Sequence, residues 1–319
     1  MNRSVWKKIL LIACALGLIL TTFLGFFSSK EPEESRPVRP LILVSVPPYK
    51  KMIESLVGDT FAVESVVPNG FDPHLYEAKP RDMKRFKDAA FWFGIGEAFE
   101  LKVLEALRGA KSSVSYYNLV DELVTEGHKD LLIPFTACAH DHDHDHDHGD
   151  HCGMNTYDRH LWLGLELDSI QAELIYEKLC VTYPHLKGIF EANLQELIRE
   201  HDVLVNWIES NLKDFRPIHF VTPHPAFGYF AKEFDLIQIP IEVAGKEPNI
   251  QDLNNLLNEL KTTAVDCVIL EPQHSKKAGE KIAHDLNIPV YTIDPYNENY
   301  LDTCNRLCLA LATKKNRES

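Results

Sequence analysis

The sequence lacks a paired-cysteine motif. Seven cysteines occur in 319 residues, and none forms a CxxC, which removes zinc-ribbon spacing from consideration. Positive charge is also scarce. Thirty-three Lys and Arg stand against 47 Asp and Glu, a formal net charge of −14. Such a surface repels phosphates instead of neutralising them, so no nucleic-acid partner is expected. There is no HExxH and no GxSxG, and neither GxGxxG nor GxxxxGK[ST] occurs. The signatures of a metallohydrolase, a serine hydrolase and a phosphate-binding loop are therefore missing. What remains is a chain with 45% hydrophobic residues. At about 150 residues per domain, that length suggests two domains and a sizeable core.

Long apolar runs are confined to the N-terminus. Arg3, Lys7 and Lys8 precede the uncharged stretch "ILLIACALGLILTTFLGFF" at 9–27, and a polar, Pro-containing segment follows. This pattern predicts an export signal or an N-terminal membrane anchor. "LIAC" at 11–14 resembles a lipobox, in which Cys14 would be lipidated. In each case the globular part starts near Pro40 and works outside the cytoplasm, where thiols tend to pair. Cys138 and Cys152 bracket a loop that they could close. Cys267, in a predicted strand, is expected to bridge to Cys304 or Cys308 on the last predicted helix, with Cys267–Cys308 as the pair to test.

Six β-branched or aromatic runs are bounded by turn residues: 41–48, 61–70, 89–96, 218–225, 264–272 and 288–295. Helical patterns alternate with them at 49–57, 79–87, 99–107, 250–260 and 276–286. Near-continuous apolar strands alternating with amphipathic helices predict an α/β fold, with two lobes of parallel sheet covered on both faces. Between the two sets, apolar residues recur at a 3.6-residue period from Leu186 to Leu212. That predicts one rigid connecting helix of roughly 45 Å. The expected organisation is a signal or anchor plus linker at 1–39, an N-terminal lobe at 40–183, a backbone helix at 184–213 and a C-terminal lobe at 214–319.

Residues 140–151 read "HDHDHDHDHGDH". So polar a run cannot build a core and is expected to be a surface loop, spanning 138–152. His140, His142, His144, His146, His148 and His151 offer weak, interchangeable imidazole sites for a metal. Each is available only when neutral, so capture fades below about pH 6.5. Nine histidines lie outside the run. His128, His185, His201 and His284 fall on polar faces or loops and are expected to be solvated. His219 enters a strand, and His274 in "EPQHS" has no evident role. His74 in "NGFDPHLYE" and His224 in "TPHPAFGYF" follow predicted strands, as does Asp294 in "TIDPY". That is where open α/β sheets bind ligands. His160 stands in "DRHLWLG".

In order along the chain, "SVPPYKKMIESLVGD", "VVPNGFDPHLYEAKPRDM", "AAFWFGIGEAFE", "RHLWL", "PHPAFGYFAKEF", "VILEPQ" and "IDPY" resemble the metal-binding subunits of bacterial ABC importers. These are the zinc/manganese cluster (A-I) of periplasmic solute-binding proteins. The resemblance runs from about Leu41 to the C-terminus. It implies metal bound between the lobes by His74, His160, His224 and Asp294, and a monomer that docks on an inner-membrane permease with a cytoplasmic ATPase. It also implies no enzyme activity, since four protein ligands close the site. Three imidazoles and one carboxylate suit Zn(II) as the transported ion, and a His-rich loop ahead of the second ligand is typical of the zinc branch. Mn(II) or Fe(II) as cargo, or a metal-stabilised surface adhesin, are the alternatives. "DRHLWLGLE" and Pro225 depart from the family pattern beside two of the ligands.

Overall fold

The first strand, β1 (Leu41–Val44), is short and wholly apolar, and two prolines at the start of the next segment end it. The computed structural model describes residues 39–134, 157–243 and 245–312. The apolar N-terminal run, Cys14, the His/Asp run and Cys138 and Cys152 lie outside the described residues. After β1 come α1 (Pro47–Val57), β2 (Ala62–Ser65), α2 (Pro80–Phe86), β3 (Ala89–Gly94), α3 (Ala98–Gly109), β4 (Ser115–Asn118) and α4 (Leu119–Thr125). The four strands form one parallel sheet in the order β2-β1-β3-β4.

Two long helices follow, α5 (Leu165–Thr182) and α6 (Lys187–Leu212). Then β5 (His219–Thr222), α7 (Gly228–Glu233), β6 (Ile237–Pro240), α8 (Ile250–Leu260), β7 (Cys267–Leu270), α9 (Lys277–Leu286), β8 (Val290–Thr292) and α10 (Tyr300–Leu311) complete the chain. The second sheet is also parallel, ordered β6-β5-β7-β8. The two sheets thus share one topology, as the alternating pattern predicts. β4 and β6 were not expected from the sequence. Each is an edge strand with half-exposed residues, so neither carries the apolar run that marks a buried strand.

The period-2 alternation of the central strands builds the core. Ile42, Val44, Phe91 and Phe93 face one side of the first sheet, Leu43 and Trp92 the other. Phe220 and Ile269 join the same cluster as Ile42 and Phe91, while Val221 and Val268 pack beneath α8 and α9. One apolar cluster therefore runs continuously between the two sheets. The 26 residues of α6, about 39 Å at 1.5 Å per residue, pack against α1, α5 and α10. Short 3₁₀ turns at Pro184–Leu186 and Lys213–Phe215 flank it. α8 starts where Asn249 and Asp252 form a reciprocal capping box, worth about 1 kcal/mol over alanine. Among the described residues no helix is long and apolar enough to cross a membrane.

Two expectations fail in the core. Cys267, Cys304 and Cys308 are buried in the same apolar cluster but remain thiols, and no disulfide forms among the described residues. Packed there they act as small hydrophobes. Burial pushes the Cys308 thiol up to about 12 and that of Cys304 well above its usual range, which suppresses the thiolate needed for exchange. His201 is not solvated. It is 1% exposed, with its ring between the Ser169 hydroxyl (2.8 Å) and the Tyr300 hydroxyl (2.7 Å).

Candidate metal centre

The carboxyl ends of the strands converge on one cleft. In each parallel sheet the strand order reverses between the two central strands, and ligands gather outside such a switch point. His74 stands beyond β2, in the turn Pro73–Leu75, where Asp72 Oδ1 accepts the His74 main-chain N–H at 2.9 Å. Glu97 follows β3. Gly96, at φ +79°, allows the tight turn before it, and a Cβ there would lie 2.9 Å from Asn118. His224 follows β5, Glu242 β6, Glu271 β7 and Asp294 β8. His160 comes from the segment ahead of α5.

His74, His160 and His224 offer ring nitrogens that all lie within 4.8 Å of one another. Their ring centroids are 5.1–5.7 Å apart. Each Nδ1 faces a carboxylate. Glu97 is 3.4 Å from His74, Asp158 is 2.8 Å from His160, and Glu242 is 2.9 Å from His224. A carboxylate on Nδ1 holds the proton there and leaves the Nε2 lone pair for a metal. His160 Nε2 meets the Tyr296 hydroxyl at 3.0 Å, and His74 Nε2 is 3.5 Å from the same oxygen. His224 Nε2 is buried with no hydrogen-bond partner. An orphaned imidazole nitrogen at the meeting point of three such rings fits a cation.

Asp294 is not brought into that cluster. Its Oδ1 accepts from Gln273 Nε2 at 2.8 Å and from the Tyr296 main-chain N–H at 2.9 Å. The site also holds groups to which the sequence assigned no role. Glu97, Asp158 and Glu242 orient the rings. Glu271, 0% exposed, accepts the His224 main-chain N–H, and the His274 ring stacks on His224 at 5.0 Å.

Burial and charge set the protonation order. Burial pulls the His74 imidazole down, but its bond and charge contact with Glu97 outweigh this and raise it overall. Burial lowers His224, and Glu242 only partly opposes that. Burial also raises Glu97, but His74 brings it below its usual range. Burial drives the Glu271 carboxyl well up. A cavity of about 630 Å³ opens beside the rings, lined by His74, His224, His274, Asp72 and Glu242 among others.

The lobes are stitched together around the cleft. Trp162 Nε1 donates to the Pro295 carbonyl at 2.8 Å and the Tyr229 hydroxyl to the Asp158 carbonyl at 2.7 Å. Lys50 pairs with Glu298 at 2.6 Å. With the continuous core, these contacts disfavour a wide hinge.

Residues 42–313 match the family described as the zinc-uptake complex component A, periplasmic (ZnuA). The high-affinity zinc uptake system protein ZnuA of Bacillus subtilis is 26% identical over 285 residues, 88% of this chain and 85% of that protein. The manganese ABC transporter substrate-binding lipoprotein PsaA of Streptococcus pneumoniae is 26% identical over 299 residues, 89% of this chain and 85% of that one. A crystal structure of ZnuA superposes with a TM-score of 0.75 at 29% identity, covering 86% of this chain and 98% of the other. With its fold, its three-histidine cluster and a match across most of its length, the chain belongs to the ZnuA family, the metal-binding substrate-binding proteins of metal ABC transporters, and is not an enzyme.

Proposed function

We propose that this protein captures Zn(II) outside the cytoplasm and delivers it to an ABC permease driven by a cytoplasmic ATPase. The observation that carries the reading is the three Nε2 atoms, each backed by a carboxylate on Nδ1, with that of His224 lacking any partner. Three neutral imidazoles form a nitrogen-rich set that suits Zn(II), which accepts a tetrahedron. The proposed ligands are His74, His160 and His224, with Asp294 turning in as the fourth when the ion arrives. The family description and the zinc-uptake relative support zinc.

The manganese relative, equally similar, supports Mn(II) as the second reading. A harder, oxygen-richer set would suit that ion better. The His/Asp run is proposed to gather zinc for the cleft. Pro134 and Tyr157 pair with each other, and His160 follows three residues on.

The test is competitive metal loading of the purified protein with equal Zn(II), Mn(II) and Fe(II), followed by elemental analysis. Residues 140–151 are deleted so that only the cleft is read. One zinc per chain, lost with His224→Ala, is the expected result. A cleft that keeps manganese or iron over zinc overturns the zinc assignment.

A further inference from the structure

We propose that Glu271 and His274 form a second divalent-cation position beside the three-histidine centre. This inference rests on the metal-capture reading above. The segment Glu271–His274 leaves the end of β7, and both side chains turn towards His224. One Glu271 oxygen, Oε1, accepts the His224 main-chain N–H at 3.3 Å. The other, Oε2, is buried with no hydrogen-bond partner, and so is His274 Nε2, only 3.4 Å away. The two atoms face each other as an ion-pair contact but form no hydrogen bond, and a buried polar atom without one is unfavourable.

A cation between them satisfies both. For Zn–N and Zn–O bonds of roughly 2.0–2.2 Å at a tetrahedral angle, the two ligand atoms stand about 3.4 Å apart, the separation found here. The His274 ring is held in plane by stacking on His224, with 20° between the rings. His274 also lines the 630 Å³ cavity, from which water can fill the remaining positions. The ligand class is a borderline divalent cation, since one imidazole nitrogen and one carboxylate oxygen suit zinc and its first-row neighbours. Two protein ligands bind more weakly than three or four, and two dications in one cleft repel. The second position therefore fills after the first, with Asp72 and Glu242 in the cavity wall offsetting part of the repulsion.

The experiment is crystallography of the purified protein loaded with Zn(II) alone at saturating concentration, with anomalous maps recorded on both sides of the zinc edge. The expected result is two peaks, one shared by His74, His160 and His224 and one touching Glu271 Oε2 and His274 Nε2. In equilibrium dialysis, His274→Ala and Glu271→Gln should each hold about one zinc fewer than the parent. The ions on the His/Asp run are common to all three proteins and cancel. Glu271→Gln keeps an oxygen for the His224 N–H, so it separates a ligand role from support of that loop. A peak at the three histidines alone, with unchanged stoichiometry in both variants, overturns the second position and leaves the carrier reading intact. No peak at the three histidines overturns the carrier reading itself.

Discussion

His160 Nδ1 and the His160 main-chain N–H converge on one oxygen, Asp158 Oδ1, each at 2.8 Å. The double contact fixes both the backbone and the ring plane of a residue that is only 5% exposed. In the neutral ring it favours the proton on Nδ1, which turns Nε2 to the cleft as a lone pair. Asp158→Asn removes the charge but not the shape. Zinc affinity should drop about 10–100-fold with little change in the folding midpoint, as read by chelator competition and thermal unfolding. An unchanged affinity would show that the carboxylate does not tune this ring.

His224→Ala removes the orphaned nitrogen and should abolish tight binding. The parent should gain thermal stability with added zinc, because a ligand that binds only the folded state stabilises it by mass action. The variant should show no such gain from its cleft when both proteins lack residues 140–151. A full zinc-dependent rise in the variant places the metal elsewhere.

Protons compete with the metal for the same imidazoles, and the direction follows from the environments. Glu97 raises His74, whereas burial lowers His224. On acidification His74 therefore protonates before His224. Affinity should begin to fall through His74 and fall more steeply as His224 follows. Replacing Glu97 by Gln should move the first step to lower pH. Isothermal titration in buffers of different ionisation enthalpy counts the released protons, and a profile flat between pH 7 and 5 would rule out this order.

Sequence patterns exposed some of these features and hid others. β1, β3, β5 and β7 are central strands buried on both faces, so their apolar runs were visible. The edge strands β4, "SYYN", and β6, "IQIP", carry mixed residues because one side meets solvent. His74, His160 and His224 were legible through their motifs. Two of their carboxylate partners were not, because Glu242 lies 18 residues from His224 and Glu97 lies 23 from His74. His201 looked solvated because its neighbours on α6 are charged. Only the packing of α10 against that helix supplies the Tyr300 hydroxyl that buries it.

His201 carries a prediction of its own. Burial lowers its imidazole to about 4, from an ordinary value of 6.5. The unfolded chain therefore takes up a proton below pH 6.5 that the folded chain refuses until about pH 4. Its contribution is present above pH 6.5 and is lost as the pH falls to 4. At about 1.4 kcal/mol per pH unit, the loss is on the order of 3 kcal/mol. His201→Gln does not titrate and keeps groups that can meet Ser169 and Tyr300. Urea unfolding should show a shallower decline between pH 6.5 and 4 than in the parent, and identical slopes would refute the assignment.

Deleting residues 140–151 separates capture from holding. The return of the chain at Tyr157 is fixed independently of the run. Tyr157 pairs with Pro134, and the Asp158 N–H donates to the Ile133 carbonyl at 2.8 Å. The Tyr229 hydroxyl clamps the Asp158 carbonyl from the second half of the chain. His160 should therefore keep its place, and the cleft should still hold its ion at unchanged affinity. The rate of loading at limiting zinc is the quantity expected to change, falling several-fold. That difference should shrink below about pH 6.5, where free imidazoles protonate and the run ceases to compete for metal. Stopped-flow transfer from a fluorescent zinc indicator measures both. Equal rates in the two proteins at pH 7.5 would mean that the run plays no part in capture, whatever metal it binds at equilibrium.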